Sequence, residues 1–181
     1  MKSYIRWRHS KGYGVHSPYA YRFVTDVLRP EPYGYYAYHC LEELLKDSER
    51  RDTRLIRLIR FIIRLACFLK TGRIVSAGRN VRCVELAAKA LKLPMVKLET
   101  SDFKWHEGDL LIVDSDTGNP SRIAEAISKS VPIFAVAPGD TVKGLLQQPI
   151  DRGLLLEDKN SMILIPRREM QYVAYDILLN P

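Results

Sequence analysis

An α/β fold on a mostly parallel sheet, preceded by helices and closed by an antiparallel hairpin, is what this sequence predicts. Three observations predict it. From residue 73 onward, short apolar runs alternate with amphipathic stretches of helical length. One run, Asp109-Leu110-Leu111-Ile112-Val113-Asp114, is apolar without alternation, as a strand covered on both faces must be. Near the end, Gly153–Glu157 and Ser161–Ile165 flank Asp158-Lys159-Asn160, a polar connection of hairpin length. Strands alternating with helices pair in parallel through right-handed crossovers.

The elements follow in order. The first forty residues are crowded with Tyr, Arg, His and Gly, and two helices are expected in them. One runs from Tyr19 to Leu28, with Ser17 as N-cap and Pro18 at the first helical position, and stops before Pro30 and Pro32. The other runs from about Tyr36 to Asp47, with Leu41, Leu44 and Leu45 on one side. A longer helix is expected from Thr53, as N-cap, to Lys70, with Gly72 as its stop. Its apolar residues cover most of the circumference, while Arg54, Arg57, Arg60 and Arg64 recur as a single stripe, which reads as its solvated face.

Strands are then expected at Arg73–Ala77, Met95–Thr100, Asp109–Asp114 and Pro132–Ala137. Helices fall between them: Val81–Leu91 with Asn80 as cap, Asn119-Pro120 to about Lys129, and a helix capped by Asp140 or Thr141 that ends near Gln148. After the hairpin, Val173–Leu179 reads as a last strand or a short helix.

A chain of 181 residues fits one compact domain, divided into an N-terminal helical region (1–72) packed on an α/β core (73–181). The hydrophobic fraction of 46% supplies a core and excludes disorder as the default. The formal net charge of +7 admits nucleic acid, an anionic surface or an acidic ligand without selecting among them. Cys40, Cys67 and Cys83 are widely spaced, form no C-x-x-C pair and read as buried thiols in a reducing, cytoplasmic setting. Residues 1–11 carry no apolar h-region, and Arg64 interrupts the apolar run 61–69, so neither a signal peptide nor a membrane span is expected. G-x-S-x-G, P-loop and H-E-x-x-H motifs are absent, which leaves the corresponding hydrolase classes without support.

The segment Gly14-Val15-His16-Ser17-Pro18-Tyr19, with Tyr21-Arg22-Phe23 after it, carries a family resemblance. It resembles the N-terminal signature of small bacterial O-methyltransferase-like proteins of the Bacteroidetes type. The helical preamble, the strand–helix series and the closing hairpin are similar to class I S-adenosylmethionine-dependent methyltransferases. The resemblance implies a Rossmann-like, methyltransferase-type sheet, with an antiparallel strand inserted among parallel ones. Only about eight residues, 101–108, separate the second run from the third, so the core is expected to be shortened by one strand–helix unit.

The resemblance also implies a cofactor, S-adenosylmethionine, at the carboxyl ends of the strands. The turn Ser76-Ala77-Gly78-Arg79-Asn80 would bring backbone to the ligand at a helix N-terminus, with Gly78 as its one glycine. Arg79 reads either as a partner for an anionic group or as a solvent-facing residue. Glu99 would accept the ribose hydroxyls if its strand is the second of the fold, and is an ordinary exposed carboxylate if that unit is the missing one. Asp114 ends the strongest strand beside the cleft. The Asp-Asn pair that metal-dependent relatives carry after the next strand is replaced by Ala137-Pro138-Gly139-Asp140, so no metal site is expected. His16 is the candidate general base, since histidine titrates near neutrality; the rival reading is an architectural His-Ser-Pro turn.

The function expected is that of a methyltransferase-like protein, active or degenerate, with a small-molecule acceptor if active. The alternative is a non-catalytic module that binds an acidic partner or nucleic acid. It would use the Tyr/Arg-rich N-terminal region, including Tyr33, Tyr35, Tyr36 and Tyr38, together with the arginine stripe. A shortened sheet also leaves an edge through which oligomers are possible.

Overall fold

A computed structural model of the protein describes residues 2–29, 35–78, 81–99, 103–114, 119–148 and 150–179. Its seven strands are β1 (Arg73–Ala77), β2 (Met95–Lys97), β3 (Asp109–Asp114), β4 (Ile133–Val136), β5 (Gly153–Glu157), β6 (Ser161–Pro166) and β7 (Val173–Asp176). They form one sheet in the order β2-β1-β3-β4-β6-β5-β7. Every pairing is parallel except the two made by β6, which runs against both β4 and β5. The fold is thus α/β and Rossmann-like, as the alternation of runs predicts.

The hairpin sets an antiparallel strand among parallel ones, as expected. Its strands do not form an edge: β6 folds back between β4 and β5, and β7 closes the sheet outside them. The reason lies in the residues. Ser161 through Ile165 are all buried, so β6 needs cover on both faces and a neighbour on both sides. The segment after it resolves to a strand, which pairs in parallel with β5.

Alternate residues of the strands enter two apolar layers. Ile74, Leu110, Ile112, Phe134, Ile163 and Ile165 face α5 (Thr53–Leu69) and α6 (Val81–Leu91), with Phe61 and Phe134 packing at 5.0 Å. Val75, Leu111, Val113, Ile133, Ala135 and Leu164 face α7 (Pro120–Ser128) and α8 (Asp140–Leu146), which contribute Ile123, Ala126, Val142 and Leu146. Period-two burial along the strands and period-3.6 burial along the helices produce this three-layer sandwich.

Before α5 lie α1 (Lys2–Ser10), α2 (Pro18–Phe23) with a π-helical turn to Leu28, α3 (Tyr36–Leu44) and α4 (Asp47–Arg50). Ser17 caps α2 as expected, accepting from the Ala20 amide. The expected helix 36–47 is interrupted at Leu45, whose extended ψ of 134° separates α3 from α4. The helix α1 is an addition to the expected elements, because its apolar residues do not face the core. The Tyr19 and Phe23 rings pack on Phe68 at 5.2 and 5.4 Å, and Arg64 Nε donates to Val27 O at 2.6 Å. Contacts that move up α2 as they move back along α5 make the two helices antiparallel.

Several helix ends differ from expectation. Asp52, not Thr53, caps α5, accepting from the amides of Arg54 and Leu55 at 3.0 Å. At its far end Lys70, not Gly72, takes the left-handed conformation, with φ 54°, while the Thr71 amide returns to Ala66 O. Gly139 occupies the cap position of α8, and Asp140 sits in the first turn, where its charge complements the helix dipole. Asn119 does cap α7. Asn80, the expected cap of α6, lies outside the described residues.

Candidate functional site

The crossover from β1 through α6 to β2 lies on one face of the sheet, and the crossover from β3 through α7 to β4 lies on the other. The chain therefore reverses direction across the sheet between β1 and β3. In open α/β sheets the crevice outside the carboxyl ends of the strands at such a point is where ligands bind.

The register shows which residues reach it. Ala77 stands beside Val113, Ser76 beside Lys97, and Asp114 beside Val136. The ladder continues one step further, with the Leu98 amide donating to Ser76 O at 2.9 Å. Gly78, Glu99 and Asp114 thus follow or end three adjacent strands at one end of the sheet. Ser76 is buried within β1, one residue short of the rim.

Gly78 has φ +110°, a conformation that side chains rarely adopt. A Cβ built there would lie 1.9 Å from Asp114 Oδ1, so the carboxylate rests directly on the glycine. Asp114 is itself buried, at 4% exposure, and close enough to Cys83 in the first turn of α6 for its charge to act on that thiol. Burial chiefly, with the Asp114 charge adding to it, pushes the Cys83 thiol up to about 11; of the three cysteines expected to be buried Cys83 alone is, Cys40 being half-buried and Cys67 exposed. At this end of the sheet a glycine turn thus has a carboxyl side chain seated on it, ahead of α6.

The position of β2 bears on which unit the fold lacks. It pairs directly with β1, the place of the second strand in a doubly wound sheet, and no strand lies outside it among the described residues. Among the described residues no unit lies beyond β2, and Glu99 follows this strand, exposed, at the level of the Gly78 turn. The strand itself is shorter than expected, ending at Lys97. Leu98, Phe103 and Trp105 pack under this side of the sheet with Val75 and Val96.

His16 is not in this crevice. It is exposed and immediately precedes α2, whose first turn lies against Phe68, near the end of α5 that feeds the amino end of β1. Tyr19 also holds Arg167, which follows the last residue of β6 at that same end of the sheet. A proton cannot be passed across the length of the strands, so His16 is not positioned as a base for chemistry at Gly78. Arg79 lies outside the described residues.

The Tyr/Arg surface of the alternative reading is also rearranged. Arg64 donates to Tyr38 Oη at 3.1 Å, and Arg60 lies over the Tyr38 ring at 5.2 Å while pairing with Glu42 at 3.6 Å. Half of the arginine stripe is thus occupied in clamping α3 onto α5, and only Arg54 and Arg57 are exposed. Tyr33 lies outside the described residues. Tyr36 on α3 still faces outward, at 75% exposure, and other outward aromatic and basic side chains are on α1, which hydrophobic patterning does not find; the spacing Tyr4-x-x-Trp7-Arg8 is the signal the sequence offers for α1.

Neither a protein-family model nor a curated protein matches the chain. Among the described residues no helix is long and apolar enough to cross a membrane.

Proposed function

We propose that the chain is a methyltransferase-like domain that holds an adenosyl ligand of the S-adenosylmethionine type in the crevice between β1 and β3. The observation that carries the reading is the buried Asp114 carboxylate resting on Gly78. A ligand with a sulfonium and an ammonium group needs a negative charge at this end of the site, and a desolvated carboxylate attracts such charges more strongly than an exposed one. Glu99, which follows the neighbouring strand β2, is the acceptor for the ribose hydroxyls. Gly78 presents backbone without a side chain to that ligand. The single reversed strand between β4 and β5 supports the same reading, because it is the topology that the family resemblance implies.

The domain is catalytically reduced in this reading. With His16 at the opposite end of the sheet, it supplies alignment of donor and acceptor rather than a histidine base. Any acceptor would be a small molecule whose nucleophile needs no such base.

Calorimetric titration with S-adenosylmethionine and with S-adenosylhomocysteine tests this. Both are expected to bind. Glu99→Ala is expected to weaken both by about tenfold, the worth of a hydrogen bond to a charged group. Asp114→Asn is expected to weaken the sulfonium ligand more than its uncharged product. Absence of heat with either ligand at millimolar concentration sinks the proposal, and binding indifferent to both substitutions places the ligand elsewhere.

A further inference from the structure

The helix α1 is turned inside out. Arg6 and His9, one turn apart, face the sheet edge. The Arg6 side chain is only 13% exposed and lies 3.6 Å from the Asp176 carboxylate. The His9 ring donates from Nδ1 to Asp176 O at 2.7 Å and meets the Tyr175 ring edge-on at 5.4 Å. The outward face carries Tyr4, Ile5 and Trp7, which are 62%, 38% and 46% exposed. Polar groups inward and rings outward is the reverse of what a helix docked on a core adopts, and an exposed cluster of large apolar groups marks an interaction surface.

The rings are already arranged. Tyr4 and Trp7 stack at 6.1 Å with 23° between their planes, and Lys11 Nζ lies 5.9 Å from the Trp7 ring centroid. Tyr13 and Tyr21, 61% and 50% exposed, add further rings in the turn and helix that follow. Gly12 lies close on the Tyr21 ring and has φ +85°: a Cβ there would fall 2.8 Å from Tyr21 Cε2.

The charge of the segment identifies the partner. Lys2, Arg6, Arg8, Lys11 and Arg22 precede any acidic residue, the first of which is Asp26. With Arg6 turned inward onto Asp176, Arg8 and Lys11 are the cations beside the outward rings, and such a surface is complementary to a polyanion. Ile5 is the one aliphatic side chain among its exposed large hydrophobic groups, too little for a helix that embeds in lipid, which presents a continuous apolar face. Flat rings interleaved with cations are instead what stacked bases and phosphates require. We infer that this face of α1 binds single-stranded nucleic acid, with Tyr4 and Trp7 stacking on bases and Arg8 and Lys11 meeting phosphates. The inference is independent of the ligand in the β1–β3 crevice.

Fluorescence anisotropy with labelled oligothymidylate and oligouridylate, each about a dozen nucleotides long, tests it on the full chain. Saturable binding that falls steeply with salt is expected. Tyr4→Ala with Trp7→Ala should weaken it about tenfold or more. Arg8→Ala with Lys11→Ala should reduce the slope of log affinity against log salt by roughly 0.7 for each phosphate that is no longer neutralised. Arg54→Ala with Arg57→Ala, on the exposed side of α5, should leave affinity within about twofold, since that pair is not part of the stacking surface. Trp7→Leu keeps apolar bulk and removes the ring, so it reports on stacking even if the double alanine variant melts early. No saturable binding, or binding unchanged by Trp7→Leu and by the double alanine variant, overturns the inference. So does adsorption to phosphatidylserine vesicles without oligonucleotide binding.

Discussion

Two carboxylates behave differently because of what stands next to them. Asp114 rests on a glycine, and that pairing restricts position 78 to glycine more firmly than the turn alone would. Glu49 lies at the surface junction of α4 and α6. It accepts the Lys46 amide at 2.9 Å and takes Arg82 through two hydrogen bonds of 2.7 and 3.1 Å. The Arg82 guanidinium first, and the Lys46 amide second, hold its carboxyl at about 2. A carboxylate whose pKa is lowered on folding contributes stability that is complete above its unfolded pKa, about 4.3, and is lost as pH falls through the folded value. Thermal unfolding followed from pH 5 downward should therefore show stability dropping toward about pH 2, and Glu49→Gln should flatten that part of the curve. A profile identical in the variant would show that the ion pair contributes nothing. Gly78, Glu99 and Asp114 are all legible as candidates in the sequence; that Asp114 sits on Gly78 is not, because the residues are far apart in the chain.

Strands show how local pattern and long-range chemistry divide the work. Apolar runs place β1, β3 and β4 almost to the residue, since a buried strand has few other ways to be written. What ties β1 to β3 at their amino ends is a polar clamp. Arg73 Nε donates to Asp109 at 2.7 Å, Arg73 Nη2 bonds the same carboxylate and also Lys104 O at 2.8 Å, and the His106 amide completes it at 2.8 Å. The Asp109 side chain is fully buried. Its removal leaves the Arg73 guanidinium, only 19% exposed, without its carboxylate, and breaking a buried pair costs about 3–5 kcal/mol. Asp109→Ala should lower the unfolding free energy obtained from urea denaturation by that amount, and a loss under about 1 kcal/mol would mean that water replaces the clamp. Helix ends are the least legible feature. Asp52 and Thr53 are both good caps by type, and only the direction of the entering chain selects Asp52. The helix α1 is hidden because its inward face is Arg6 and His9, which no hydrophobic period reveals.

The two regions read from the sequence, 1–72 and 73–181, share one apolar layer. Val27, Leu41 and Phe61 from the first meet Ile74, Phe134 and Ile177 from the second in a continuous buried cluster. A layer shared in this way cannot be lost in halves. Far-ultraviolet circular dichroism and tryptophan fluorescence should accordingly report a single coincident transition, with Trp7 probing one region and Trp105 the other. Two separated transitions would show that the N-terminal helices melt on their own. The open side of β2 is short and carries Lys97, features that discourage edge-to-edge pairing.

The sequence by itself determined the class of fold, the number and span of the central strands, and the residues that compete for the crevice. It could do so because burial imposes periods of two and 3.6 that local composition must obey. Tertiary structure alone decided that β6 pairs with both β4 and β5, that no strand lies beyond β2 among the described residues, and that His16 stands at the end of the sheet opposite Gly78. It also decided that half of the arginine stripe clamps α3 while the rings of α1 face outward. These outcomes depend on pairing between distant segments, and no local period records which strand, ring or guanidinium a residue will meet.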